Sequence, residues 1–162
     1  MTTQPDDQTQ ADDGPGVLTF PPVIFAIFFV IGYITDRAMP IALGPSALRH
    51  TAGGILIALS IGLVIWAGSR FLRAGTHIDV RKPASTVVMD GPYSLSRNPM
   101  YLAATLLYTG VALALSLAWT LAALIPCLVV LHYGVIVREE RYLEAKFGDA
   151  YRDYKRRVRR WI

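Results

Sequence analysis

Residues 99–137 read PMYLAATLLYTGVALALSLAWTLAALIPCLVVLHYGVIV, and no Asp, Glu, Lys or Arg interrupts them. The run divides at Ser116-Leu117-Ala118 into two apolar segments, 99–116 and 119–137. Each has about 18–20 residues, close to the thickness of a bilayer's hydrocarbon core. The link is too short for anything but a tight turn, so the two segments should form a helical hairpin across a membrane. Pro126 lies inside the second and should kink it by removing a backbone donor.

Two earlier apolar segments extend the pattern. One covers residues 17–34 and stops before Asp36 and Arg37. The other covers residues 51–68 and is rich in small side chains (Gly53, Gly54, Ala58, Ser60, Gly62, Ala67), which let helices approach closely in lipid. The expected fold is therefore all-α: an integral membrane helical bundle of about four transmembrane helices. A C-terminal amphipathic helix should follow on the cytoplasmic side, with Glu140, Phe147, Tyr151, Tyr154 and Val158 forming a packing seam.

Composition agrees. Hydrophobic residues make up 53% of the 162 and charged residues 17%, against roughly 25% charged in a soluble domain. Mean hydropathy is +0.39. The length suits a single domain at 17–162 behind an acidic tail at 1–16, where Asp6, Asp7, Asp12 and Asp13 stand among polar residues and almost nothing apolar. That tail lacks the basic start and small-residue cleavage site of a signal peptide and is expected to be retained and disordered. A single cysteine, Cys127, excludes an internal disulfide and a paired-cysteine redox motif. The pI of about 9.4 does not indicate nucleic acid, because the basic residues flank apolar segments, as in membrane proteins.

Charge also orients the chain. Four spans place the N-terminal tail, the 69–98 connection and the C-terminus on one side, with fourteen of the sixteen Lys and Arg. Arg37 and Arg49 remain on the other. The positive-inside rule makes the richly basic side cytoplasmic.

Two polar blocks emerge on that side. The first is Gly91-Pro92-Tyr93-Ser94-Leu95-Ser96-Arg97-Asn98-Pro99-Met100-Tyr101, and the second runs from Arg138-Glu139-Glu140-Arg141 to Phe147-Gly148-Asp149-Ala150-Tyr151. Because a hairpin joins them, they should form one site at the bilayer surface. Asn98-Pro99 reads as a helix cap followed by proline at the first helical position. The same geometry, with Arg97 beside it, makes a site for a carboxylate or phosphate. Both readings stand, as does Arg97 as an anchor to lipid phosphates. Tyr93 and Tyr101 equally suit interface aromatics. Glu139 and Glu140 sit at the unfavourable end of a helix dipole unless the helix continues. His132 and Glu139 are seven residues apart, nearly in line on a helix, so both can face one cavity. A hydrogen-bonded interior histidine, and a solvated face for Glu140, Arg141 and Glu144, are the plainer alternatives.

These blocks, Gly91-Pro92-Tyr93 with Arg97-Asn98-Pro99-Met100-Tyr101 and Glu139-Glu140 with Phe147-Gly148, Tyr151 and Tyr154, resemble the isoprenylcysteine carboxyl methyltransferase and phospholipid methyltransferase superfamily. The likeness covers roughly residues 74–162. It implies an S-adenosylmethionine-dependent membrane methyltransferase without a Rossmann domain, and no Gly-x-Gly-x-x-Gly nucleotide fingerprint occurs here. By motif, Val87, Val88, Tyr93, Asn98, Pro99, Met100, Tyr101 and Glu139 would contact the cofactor, within a cofactor-binding part at 74–162. Arg97, His132 and Glu140 are the candidates for catalysis, and no metal is expected. The acceptor would be a small lipophilic molecule, an isoprenylcysteine-type carboxylate or another lipid, reaching the site sideways from the bilayer.

The chemistry is compatible with that resemblance. The cofactor carries an ammonium for Glu139 or Glu140, a carboxylate for Arg97 and the Asn98-Pro99 helix start, and a sulfonium for tyrosine rings. Methyl transfer is an in-line displacement in which positioning dominates. A carboxylate or thiolate acceptor needs no base, whereas an amine or hydroxyl would use His132 or a glutamate.

Three positions depart from the eukaryotic prenylcysteine enzymes. Asn98 and Ser85 stand where those enzymes carry His, and Val135 stands near their substrate-contacting Arg. The Arg-Asn-Pro form resembles small bacterial members, whose acceptors vary and whose place is the plasma membrane. Two other functions share the pattern: a nicotinamide-dependent membrane reductase with a related helical core, and a non-catalytic lipid- or partner-binding protein of the same fold.

Overall fold

The computed structural model describes residues 20–75 and 86–162. The 1–16 tail, and Ser85, Arg81 and Lys82 of the connection, lie outside the described residues. The architecture is all-α. Helices α1 (Pro21–Ala38), α2 (Ser46–Ala74), α3 (Pro99–Ala114) and α4 (Ala118–Leu131) run up and down. A π-helical segment, His132–Ile136, leads from α4 without a break into α5 (Val137–Phe147), and α6 (Asp149–Arg157) completes the order.

Three helices are long and apolar enough to cross a bilayer among the described residues: Pro21–Ala38, Ser46–Ala74 and the continuous Ala118–Phe147. The chain is an integral membrane protein. Its outward faces carry Ile27, Ile31 and Ile34 on α1, Ile55, Leu59 and Ile65 on α2, and Ile125 and Val129 on α4, all exposed. Apolar surface on this scale suits lipid rather than water.

The remaining expected span, 99–116, is shorter than its apolar stretch. α3 has 16 residues, about 24 Å of helix against a core of about 30 Å. Pro99 opens it, and the chain is stopped at the other end by a left-handed Ser116 (φ 60°). There Ser116 N donates to Leu113 O at 3.0 Å and Leu117 N to Ala112 O at 2.8 Å, the paired bonds that end a helix. This is the tight turn of the hairpin.

α1 runs through Asp36 rather than stopping before it. Asp36 is buried because it accepts three hydrogen bonds at the start of α4: Trp119 N at 2.9 Å, Thr120 N at 2.9 Å and Thr120 Oγ1 at 2.8 Å. A carboxylate from a neighbouring helix thus takes the role of an N-cap.

α1 packs along α4, and α2 packs along α3. The second pairing is very close: a Cβ on Gly53 would lie 2.6 Å from Gly110 O, and one on Gly110 would lie 2.8 Å from Gly53 O. Only glycine at both positions permits this crossing. α1 and α2, though consecutive, have little contact with each other. A core of Ile24, Phe25, Tyr101, Tyr108, Cys127, Leu131, Val135 and Ile136 joins α1, α3, α4 and the π-helical segment, and Tyr108 donates to Thr120 O at 2.9 Å.

α4 runs through Pro126 and leaves α geometry only at His132–Ile136. The C-terminal amphipathic segment is two helices rather than one, broken at Gly148 (φ 54°, ψ −127°). Tyr151 and Tyr154 of the expected seam are buried, and the Tyr154 hydroxyl donates to Tyr93 O at 2.7 Å.

Candidate functional site

The start of α3, the end of α2, the start of α1 and the α4–α5 extension meet at one end of the bundle, around a cavity of about 630 Å³. Its walls are mostly apolar. Phe20, Phe25 and Phe29 come from α1 and the residue before it, Val64 and Phe71 from α2, and Ala104, Leu107 and Val111 from α3. Between Pro99 and Val111 the lining follows α3 for about 18 Å. Tyr93, Arg97, Asn98, Pro99, Met100, Tyr101 and Glu139 line the same cavity and make its polar end.

Local structure explains how these residues reach it. Gly91 (φ 59°) starts a 3₁₀ turn, Gly91–Ser94. A Cβ there would meet Arg70 Nε at 2.7 Å, and Arg70 pairs with Asp90 at 3.0 Å, so α2 clasps the turn. Tyr93 is buried, packed edge-on against Phe71 at 5.3 Å. Its hydroxyl is buried without a hydrogen-bond partner. Burial first, then the charge of Glu139 and the neighbouring Tyr154, hold this phenol well above its ordinary range. It therefore keeps its proton, and can donate a hydrogen bond, at any physiological pH.

Asn98 is not a side-chain cap of α3. Its Nδ2 donates instead to Arg160 O at 3.0 Å. The opening amides of α3, those of Met100 and Tyr101, have no carbonyl within the helix to bond. On the facing wall the Tyr101 hydroxyl donates to Glu139 Oε2 at 2.9 Å. The two polar blocks of the sequence thus meet directly.

Four of the sequence candidates stand behind this wall rather than on it. Val88 is buried against Ala67 and Tyr93 and supports the tyrosine; Val87 adjoins it and is not part of the lining. Glu140 is buried and receives Arg160 Nε at 2.9 Å and Nη2 at 2.7 Å. His132 Nε2 lies 3.4 Å from Arg160 Nη1. His132 and Glu139 therefore do not share a cavity face. The wide turn at His132–Ile136 absorbs about one extra residue, rotating α5 back by roughly 100° relative to α4. That brings Glu140, not Glu139, into line with His132, and both meet Arg160.

Arg97 joins the two groups. Its side chain is only 9% exposed, and Nη1 lies 3.0 Å from Glu140 Oε1. Yet neither Nε nor Nη1 makes a hydrogen bond, so the contact with Glu140 is one of charge alone. Its backbone amide donates to Arg159 O at 3.0 Å.

Arg160 is the participant that the sequence did not single out. It is one of a run of basic residues, Lys155 to Arg160, at and just past the end of α6 that reads as an ordinary membrane-flanking cluster. The apolar walls on α1 and α2 were also missed. Phe25, Phe29 and Val64 are no different in sequence from residues that face lipid.

Known proteins resemble parts of this chain. The phospholipid methyltransferase family matches residues 48–150. A 47-residue stretch is 53% identical to an uncharacterized protein of Haemophilus influenzae, covering 29% of this chain and 71% of that protein. No solved structure matches.

Proposed function

Since the chain belongs to the phospholipid methyltransferase family, we propose that it is an S-adenosylmethionine-dependent membrane methyltransferase acting on a small lipophilic acceptor. The observation that carries this reading is the make-up of one cavity: a buried guanidinium, Arg97, and a carboxylate, Glu139, line the polar end of an otherwise apolar space. An α-amino acid moiety presents the complementary pair of charges. Its volume of about 630 Å³ falls in the usual range for small-molecule sites.

The residues present fit the cofactor. Arg97 Nε and Nη1 and the Tyr93 hydroxyl are buried polar atoms without hydrogen-bond partners, and such atoms are costly unless a ligand or water meets them. Arg97 and the opening amides of α3 would take the carboxylate. Glu139, oriented by Tyr101, would take the ammonium, and Tyr93 and Tyr101 would border the sulfonium. When bound, S-adenosylmethionine supplies an electrophilic methyl group. The chain's own contribution is to fix orientation, exclude water with the apolar walls, and hold the acceptor in line.

The apolar part of the cavity is the acceptor's place. α1 and α2 pack on different partners and both line the cavity, so an acceptor from the bilayer would enter between them. His132 and Glu140 are engaged by Arg160 behind the wall and are not placed to remove a proton from an acceptor. An acceptor that reacts as an anion, a carboxylate or thiolate, needs no base and suits this site best. Residues 17–162 act as one domain, with α3 as a fourth, short span, and the basic end faces the cytoplasm. The parallel with small bacterial members puts it in a plasma membrane.

The test is calorimetric titration of S-adenosylmethionine into nanodisc-held protein, beside Glu139→Ala and with NADPH as the control nucleotide. Micromolar binding that falls by about 2–3 kcal/mol in the variant is the expected result. Binding of NADPH instead would overturn the reading in favour of a reductase. Binding of neither would favour a non-catalytic protein of the same fold.

A further inference from the structure

We propose that Arg160 is a positioning residue: it takes up the hydrogen bonds of Glu140 so that Arg97, in ionic contact with the same carboxylate, keeps its own donors free for the carboxylate of the cofactor. This deepens the reading above and rests on it. Glu140 has two cationic neighbours and treats them differently. Arg160 gives it a two-pronged hydrogen bond at 2.9 and 2.7 Å. Arg97 comes to 3.0 Å without forming one. A fork of this kind is the strongest hydrogen-bonded arrangement a carboxylate makes with a side chain, and it leaves Glu140 little reason to draw in Arg97.

The charges reinforce the geometry. Arg97, Glu140 and Arg160 together carry one net positive charge, in a setting where the Glu140 side chain is 7% exposed and that of Arg97 9%. Without Arg160, the remaining pair would be neutral. Arg97 would then turn its own fork onto Glu140, and an anion in the cavity would meet a spent cation. Screening is weak at such burial, so the difference is felt strongly.

Arg160 is also held in place from both polar blocks. Its carbonyl accepts Ser96 Oγ at 3.3 Å and Asn98 Nδ2 at 3.0 Å. Its third nitrogen approaches His132 Nε2 at 3.4 Å, and the next residue, Trp161, packs against the core. The C-terminal segment is thereby a strap across the site, with main-chain bonds to the first block and a side-chain fork to the second.

The experiment compares two ligands that differ only in the carboxylate: S-adenosylmethionine and its decarboxylated counterpart. Each is titrated calorimetrically into the full chain in nanodiscs, as wild type, Arg160→Gln and Glu140→Gln. Wild type should prefer the carboxylated form. Arg160→Gln should weaken S-adenosylmethionine by about tenfold or more, the weight of one hydrogen bond to a charged group. The decarboxylated form should change by less than about threefold, since it asks nothing of Arg97. Glu140→Gln removes the competitor for Arg97 and should keep the wild-type preference; this variant can still overturn the proposal should Arg160→Gln fail to fold. Equal weakening of both ligands in Arg160→Gln would make Arg160 a plain structural clip and overturn the proposal, leaving the methyltransferase reading intact. Loss of the preference in Glu140→Gln would do the same. Wild-type protein that binds neither ligand would overturn both.

Discussion

Asp36→Ala should destabilise the protein by about 3 kcal/mol without touching the site. The carboxylate accepts from two backbone amides and one hydroxyl at the start of α4, at 2.8–2.9 Å. A typical intramolecular hydrogen bond contributes about 1 kcal/mol net, and bonds to charged groups more. Three at the low end of that range give about 3 kcal/mol, and the orphaned amides have no other cap, since Leu117 supplies none. For a chain of this size each kcal/mol lowers Tm by about 2–4 °C, so a drop of roughly 6–12 °C is expected. The assay is thermal unfolding in detergent, with Asp36→Asn beside it; the amide keeps one acceptor oxygen and should lie between. Asp36 is at the opposite end of α1 from Pro21, which lines the cavity. Affinity for S-adenosylmethionine at about 20 °C should therefore be unchanged. A Tm within about 2 °C of wild type would show that water or a relaxed turn replaces the carboxylate, and would refute the cross-helix cap as a source of stability.

Other perturbations test the remaining contacts. Gly53→Ala should cost about 1–3 kcal/mol by overpacking, because its Cβ would lie 2.6 Å from a backbone oxygen on α3; Gly54→Ala, with nothing within 4 Å, should leave Tm unchanged or raised, and equal effects would refute the glycine crossing. A double-mutant cycle of Tyr101→Phe and Glu139→Gln on cofactor affinity should show a coupling of about 1–2 kcal/mol. A coupling near zero would mean that the 2.9 Å contact between them does not orient the carboxylate.

Much of this protein is written in local chemistry. Uncharged apolar runs of bilayer length mark membrane helices whatever surrounds them, because lipid offers the backbone no partners. Ser116-Leu117-Ala118 leaves no room for anything but a turn, and that alone brings the block before α3 and the block after α4 to one end of the bundle. The motifs Arg97-Asn98-Pro99-Met100-Tyr101 and Glu139-Glu140 carried the family resemblance on their own.

Other features depend on partners distant in sequence. Asp36 ends an apolar run in the sequence, yet it is buried within a helix because Trp119 and Thr120 satisfy it from more than eighty residues away. The division of labour between Glu139 and Glu140 was equally hidden. Two adjacent carboxylates are interchangeable in sequence, and an even helical count pairs His132 with Glu139. The wider turn at His132–Ile136 changes that count, sending Glu139 to the cavity and Glu140 to Arg160. Nor does an apolar side chain declare whether it faces lipid or a cavity, since both surroundings are hydrocarbon-like. Hydrophobicity selected the helices; their packing, α1 on α4 and α2 on α3, determined which faces remained to enclose the space between them.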